Sequence, residues 1–241
     1  LFATDTESTR YALGGLLLEM HPESIIAVAT DGLRQAKMEG PAQTVGEPTA
    51  GDTMTIVPAR SMQLIERALS DGDGDVQLVS RGNDVLVHTP SVTIVTRLVE
   101  GRFPRWRDVV PDRPDSIQID MTAGPLHAAL RQAAIVSTGE SRGIDFTLGE
   151  GSLVLTGMTA DVGESRVELP IPYEGKPITL SLDHRYVSDF LRVLDPERTF
   201  QLDIVDGDSA ALWKTDDGYE CVVMPLARDR KREQAGAGSA E

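Results

Sequence analysis

Short runs of strand character punctuate most of the chain, most clearly Val92–Val99, where a period-2 pattern of apolar and polar residues and its β-branched content mark a half-buried strand. The first half shows this at Ile25–Thr30, Met54–Val57, Val76–Val79, Val85–His88 and Val92–Val99. The second half shows it at Ile144–Leu148, Leu153–Thr156, Ser165–Leu169, Ile178–Leu182, Thr199–Ile204, Ala210–Lys214 and Tyr219–Met224. Four other stretches carry a helical period. One is Thr6–Met20, with Leu13, Leu16 and Leu17 on one side. One follows Pro58, with Met62, Ile65, Ala68 and Leu69 on one face and Arg60, Gln63 and Arg67 on another. One is Pro125–Ser137, with Leu126, Leu130, Ala133 and Ala134 inward and His127 and Arg131 outward. The last is capped by Asp183 and turns Tyr186, Val187, Phe190, Leu191 and Leu194 to one side. Asp31-Gly32 reads as a hairpin turn.

The two halves repeat one order of elements. Thr55 aligns with Thr179 and Pro58 with Leu182, an offset of 124 residues, which is a duplicated domain and too long for a solenoid unit. Glu100–Trp106 is the joint, where Gly101 and Pro104 stop the preceding strand and Phe103 and Trp106 need apolar neighbours. The expected division is residues 1–109, residues 110–228, and a tail 229–241 that is basic and then Ala/Gly/Ser-rich and is expected to be disordered.

An apolar content of 40% and a charged content of 25% place the chain among ordinary globular proteins rather than disordered ones. No apolar run approaches the ~20 residues of a membrane-spanning helix, so no membrane partner is expected. The chain opens Leu1-Phe2-Ala3 without Met, as a piece of a longer protein does. The single Cys221 forms no internal disulfide, suits a reducing cytoplasm and reads as a small buried hydrophobe. A net charge of −15 argues against tight nucleic-acid binding, which draws on phosphate contacts.

Catalytic chemistry finds little purchase. Asp71-Gly72-Asp73-Gly74-Asp75 opens like a calcium loop, but Val76 and Gly82 stand where that loop needs Gly and Glu, leaving a solvated turn. The four histidines are scattered and sit at no metal-ligand spacing, so no metal or cofactor is expected. There is no nucleophile elbow, and no catalytic residue is assigned. What stands out instead is a set of basic residues on polar helix faces, and apolar residues at strand ends and joints (Leu33, Pro104, Val109, Val222, Val223, Met224, Leu226). The latter suit either a core or a peptide groove, and periodicity does not decide between them.

Four segments carry a family resemblance: Arg10-Tyr11-Ala12-Leu13-Gly14-Gly15, Ala29-Thr30-Asp31-Gly32-Leu33-Arg34, Gly101-Arg102-Phe103-Pro104, and Tyr219-Glu220-Cys221-Val222-Val223-Met224-Pro225-Leu226. In order and spacing the chain resembles the beta subunit of bacterial DNA polymerase III, the sliding clamp family, over its second and third domains. The resemblance implies an α+β clamp fold of two similar domains, each of two helix-plus-antiparallel-sheet halves. It implies a non-catalytic, cytoplasmic processivity factor of the DNA polymerase holoenzyme, which encircles duplex DNA without regard to sequence. Polymerase, clamp loader and repair proteins would be tethered through short hydrophobic peptides. Rings hold DNA by topology, which reconciles the acidic charge with a DNA partner.

Carried onto this sequence, the family's peptide pocket between its second and third domains implies Leu13, Thr30, Gly32, Leu33, Arg34, Pro104, Val109, Tyr173, Val222, Val223, Met224, Pro225 and Leu226. DNA-facing candidates are Arg10, Tyr11, Arg60, Arg67, Arg131, Arg185 and Arg192, of which only Arg10 and Tyr11 lie near a family motif. Ile135 and Val136 are implied at the subunit interface of a homodimer that needs the family's first domain to close. Leu33 stands for a usual His, Gln35 for a usual Leu and Asp108 for a usual Arg. The basic extension beyond Leu226 is also unlike the family. The alternative reading is a clamp-like module that binds the same peptides and never encircles DNA.

Overall fold

The computed structural model describes residues 1–5, 7, 12–45, 54–70, 74–110, 113, 115–139 and 141–227. Arg10, Tyr11, most of the acidic turn Asp71–Asp75 and the tail 229–241 lie outside the described residues. The chain forms two units: Leu1–Asp112 with Lys214–Val222, and Arg113–Trp213 with Val223–Glu241. The expected division gave all of 214–222 to the second domain. It is grouped with the first because the strand it contains lies beside a first-unit strand, as described below.

The first unit opens with β1 (Gly15–Met20), β2 (Ser24–Thr30), β3 (Arg34–Pro41) and β4 (Thr55–Pro58), antiparallel in the order β4-β1-β2-β3. The strand at Gly15–Met20 corrects the helix expected over Thr6–Met20. Leu16, Leu17 and Leu18 form an unbroken apolar run because β1 is paired on both edges and buried on both faces, a pattern that helix and central strand share. Gly15 also favours the strand: a Cβ there would lie 2.5 Å from the Val57 carbonyl oxygen, so only glycine admits β4 so close.

Helix α1 (Ala59–Ser70) follows β4 directly. Its Ile65 joins Leu18, Val57, Val85, Val87 and Leu98 in one core, with Met62 packed against it. Arg60, Gln63 and Arg67 are exposed as expected, but so is Leu69 at 40%, although it was expected on the inward face. A three-stranded sheet completes this half: β5 (Gln77–Arg81), β6 (Asp84–His88) and β7 (Thr93–Arg97), with β5 at one edge. The joint then runs into the unit's other core, where Phe103 and Trp106 are buried with Leu17, Ile26, Val28 and Ile56.

In the second unit β8 (Ile117–Thr122) leads into α2 (Ala123–Ala133) and a 3-10 turn, Ala134–Val136. Next come β9 (Gly143–Gly149), β10 (Ser152–Thr159), β11 (Gly163–Pro170) and β12 (Ile178–Asp183), in the sheet order β11-β10-β9-β12. Helix α3 (His184–Arg192), β13 (Thr199–Ile204), which pairs with β8, and β14 (Ala211–Lys214) complete the pattern. The last strand, β15 (Tyr219–Val223), lies beside β3, and all but its final residue belongs to the first unit. Lys37 on β3 meets Glu220 there at 3.4 Å.

Asp183 caps α3 by accepting the Arg185 backbone N–H, as the sequence indicates. Trp213 anchors the second unit's core, its ring 5.7 Å from Phe200 and 5.9 Å from Phe190. The repeat superposes at 125 residues rather than 124: Pro58 and Asp183 each end a strand and each precede a helix. The shift matters for the helix faces. It puts Met62 with Val187, Ile65 with Phe190, Arg60 with Arg185 and Arg67 with Arg192.

Candidate DNA-facing helices and peptide-binding residues

The helix arginines reach their surface because a helix that buries residues at intervals of three and four leaves the opposite face in water. Arg60 and Arg67, two turns apart on α1, are both exposed. On the second unit Arg131 of α2 and Arg185 and Arg192 of α3 are exposed as well. The two α3 arginines carry carboxylate partners that the sequence reading overlooked. Arg185 donates to Asp183 from Nε at 3.0 Å and from Nη2 at 2.6 Å, and Arg192 is ion-paired with Asp189. Burial alone would raise the Asp183 pKa, but hydrogen bonds from the Arg185 side chain and backbone, together with its charge, hold it below the ordinary carboxylate range. The i,i+3 spacing of Asp189 and Arg192 was the available signal.

His127 belongs to this surface too. Its Nε2 lies 3.1 Å from the Ser188 hydroxyl, joining α2 to α3. Burial, then the charges of Arg131 and Arg192, push its pKa below the ordinary imidazole value, so the ring is neutral at pH 7 and adds no charge.

The Thr30–Arg34 residues form a braced turn within the first unit. Gly32 has φ of +90°, a conformation that glycine adopts without strain. The Thr30 hydroxyl donates to the Arg34 carbonyl at 2.7 Å and accepts the Gly32 N–H at 3.1 Å. One Asp31 carboxylate oxygen accepts the N–H groups of Leu33 and Arg34, both at 2.9 Å, and the other accepts Arg34 Nε at 2.9 Å. Arg34 also donates to the Phe2 carbonyl and lies over the Phe2 ring. The result is a rigid tip that holds Leu33 55% exposed.

Gln35, next along, is buried and donates from Nε2 to the Trp106 carbonyl at 3.2 Å, tying this hairpin to the 3-10 turn Trp106–Val109. That turn is fixed from its other side. Trp106 donates its indole N–H to Glu19 at 2.9 Å, and Arg107 pairs with the same carboxylate while lying over the Trp106 ring at 4.1 Å. Pro104 is half-buried and Val109 exposed, whereas Leu13 belongs to the buried residues. Asp108 pairs with Arg105 at 3.0 Å.

Toward the C-terminus, Val222 and Val223 are buried, while Met224 is 41% and Leu226 37% exposed. Leu226 donates its N–H to the Ser181 carbonyl at 2.8 Å, which holds this residue against β12. Tyr173 is half-buried and donates its hydroxyl to the Lys176 carbonyl. Of the two interface candidates, Ile135 is 79% exposed, but Val136 is buried within its own unit and offers a partner little surface. The turn that carries them is held by the Thr159 and Ser165 hydroxyls, which donate to the Val136 and Ala133 carbonyls, both at 2.6 Å.

Two family models match the chain in succession: the central domain of the DNA polymerase III beta subunit over residues 1–105 and its C-terminal domain over residues 107–227. The beta sliding clamp of Pseudomonas putida is 31% identical over 228 residues, which is 93% of this chain and 60% of that protein. The beta sliding clamp of Escherichia coli K12 is 30% identical over 196 residues, covering 81% and 52%. The crystal structure of the DNA polymerase III subunit beta from Pseudomonas aeruginosa matches with a TM-score of 0.85 at 30% identity, over 94% of this chain and 61% of that one. A sliding clamp from the same organism bound to griselimycin matches at 0.84. The chain therefore spans between 52% and 61% of the length of these relatives. The expected α+β clamp fold stands, and the chain belongs to the DNA polymerase III beta subunit family, carrying its central and C-terminal domains.

Proposed function

We propose that this chain is the central and C-terminal part of a cytoplasmic, non-catalytic DNA sliding clamp that encircles duplex DNA and tethers DNA polymerase, clamp loader and repair proteins. The polar faces of α1, α2 and α3 are the DNA-facing surfaces. Exposed arginines on a chain of net charge −15 suit weak, sequence-independent contact, where tight phosphate binding would oppose sliding. Ring closure as a homodimer uses the Ile135 turn, where Met158 and Val162 on the β10–β11 hairpin add exposed apolar surface.

The observation that carries the partner-binding reading is Leu33. A large apolar side chain more than half exposed, on a turn braced by Asp31 and Thr30, presents a preformed contact that loses little conformational freedom on binding. Met224 and Leu226 are the exposed apolar residues of the second unit assigned to the same peptides. Burying a few such side chains at about 25 cal/mol per Å² gives roughly micromolar affinity after ordering costs, which suits partners that exchange.

Fluorescence anisotropy with a labelled peptide from the clamp-binding segment of a replicative polymerase tests this. Saturable binding that weakens tenfold or more in both Leu33→Asp and Met224→Ala is expected. Binding unchanged by either substitution, in proteins shown to be folded, overturns the assignment.

A further inference from the structure

Where α2 and α3 meet, one side chain has no part in the DNA-facing set. His127 lies half-buried on α2, with its Nε2 3.1 Å from the Ser188 hydroxyl on α3. Arg131 follows one turn later on the same side of α2, and Arg192 follows one turn after Ser188 on α3. Three groups able to carry positive charge are thus gathered from two helices of one unit. Burial and the two guanidinium charges disfavour the imidazolium, so the ring is neutral at pH 7.

The charged groups that face the ring are few. Arg131 and Arg192 are the ones whose fields reach it. On α3, Asp189 is ion-paired with Arg192 and Arg185 with Asp183, while Arg131 has no carboxylate at ion-pair distance among the described residues. Strands β8, β10 and β11 and the 3-10 turn Ala134–Val136 also pack against α2, and no charged residue of theirs acts on the imidazole. Positive groups therefore outnumber negative ones here, on a chain whose net charge is −15.

We propose that His127, Ser188, Arg131 and Arg192 form a phosphodiester contact that takes up a proton when duplex DNA is seated on this face. This role rests on the DNA-facing reading of α2 and α3, and His127 is what it adds. The proton balance follows from the hydrogen bond. In the neutral ring Nε2 either accepts from the Ser188 hydroxyl or donates to it, depending on the tautomer. In the imidazolium both nitrogens carry hydrogen, so Nε2 donates to Ser188 Oγ, and the Ser188 O–H turns to another acceptor, here a phosphate oxygen. A proton taken from solvent onto the ring thus supplies a positive charge and a further donor together. The phosphate's negative charge offsets the repulsion from Arg131 and Arg192 that keeps the free ring neutral. Binding that takes up a proton tightens as the pH falls.

Fluorescence anisotropy of a labelled short duplex, titrated with the full chain at low salt, tests this. From about pH 7.5 to about pH 5.5 the parent's Kd should fall by about threefold more than that of His127→Gln, which keeps a hydrogen-bonding side chain for Ser188. His127→Arg, charged throughout this range, should lose the same share of the pH dependence and bind more tightly than the parent at the upper pH. His88→Gln, which removes an imidazole bonded to the Thr93 hydroxyl in the first unit, should keep the parent's dependence. In NMR titrations the His127 ring should protonate at higher pH with duplex present than without it. Duplex that binds with parallel pH curves in parent and His127→Gln, or that leaves the His127 titration in place, overturns this assignment alone. Absence of saturable duplex binding at either pH overturns the DNA-facing reading with it.

Discussion

In α1, Arg60 and Arg67 have no carboxylate at ion-pair distance among the described residues, while at the same repeat positions of α3 Arg185 and Arg192 are held by Asp183 and Asp189. The neighbours explain the contrast. Where α3 has Asp183 and Asp189, α1 has Pro58 and Leu64. One helix thus keeps its guanidinium charge directed to solvent, and the other spends much of it on local order: Asp183 caps the helix and orients Arg185 in the same stroke. Two helices with equal arginine content therefore differ in the field they offer a polyanion, and counting basic residues alone overlooks that difference.

The largest test of the comparison concerns the buried faces. Phe190→Ala empties a site enclosed by Phe200, 5.4 Å away between ring centroids, and Trp213, and should cost about 4 kcal/mol in urea unfolding. At the matching position Ile65→Ala should cost about 2 to 3 kcal/mol, because the α1 face is partly open and the site can relax. Equal losses would mean that the two helix seats are enclosed alike.

A smaller effect distinguishes the caps. Asp183→Asn keeps a capping side chain but removes the charge paired with Arg185, and should lower stability by up to about 1 kcal/mol at neutral pH. The Asp183 pKa is depressed in the folded protein, so its contribution is complete above the unfolded carboxylate value near 4 and disappears as the pH falls through that value to the folded one. The gap between parent and variant should accordingly close below about pH 4, and a gap independent of pH would remove the Asp183–Arg185 pair as its source.

The smallest effect is on DNA. Replacing Arg60 and Arg67 together by Ala should reduce the salt dependence of binding to a short duplex by nearly two phosphate equivalents, at ~0.9 in log–log slope each. Replacing Arg185 and Arg192 should reduce it by less than one, since their carboxylate partners already neutralise part of the charge. Equal reductions would erase the distinction between the helices.

Much of this arrangement was legible in the sequence. Strands with strict alternation, the hairpin at Asp31-Gly32 and the Asp183 cap were readable because each rests on interactions between near neighbours in sequence. The Leu16–Leu18 run was misread because a strand buried on both faces loses its period of two. The repeat offset was wrong by one residue because strand ends leave little mark on the apolar pattern, and only the helix seats reveal the register. The carboxylates beside Arg185 and Arg192 were in plain view, but a face-counting reading gives a charge no partner. Nor does sequence periodicity tell that Val136 is sealed while Ile135, its neighbour, stands in solvent: that follows from hydroxyls on β10 and β11 reaching the turn from far along the chain.

Cys221 is wholly enclosed in β15, and burial pushes its thiol pKa up to about 12, so thiolate is scarce at any working pH and reagents have no path to it. It is also the only cysteine in the sequence. A maleimide dye added to the unaltered protein therefore finds no target, and a cysteine placed at an exposed position such as Leu33 or Leu69 becomes the sole site of attachment. The molecule is already prepared for single-site spectroscopic labelling, with no background to remove first.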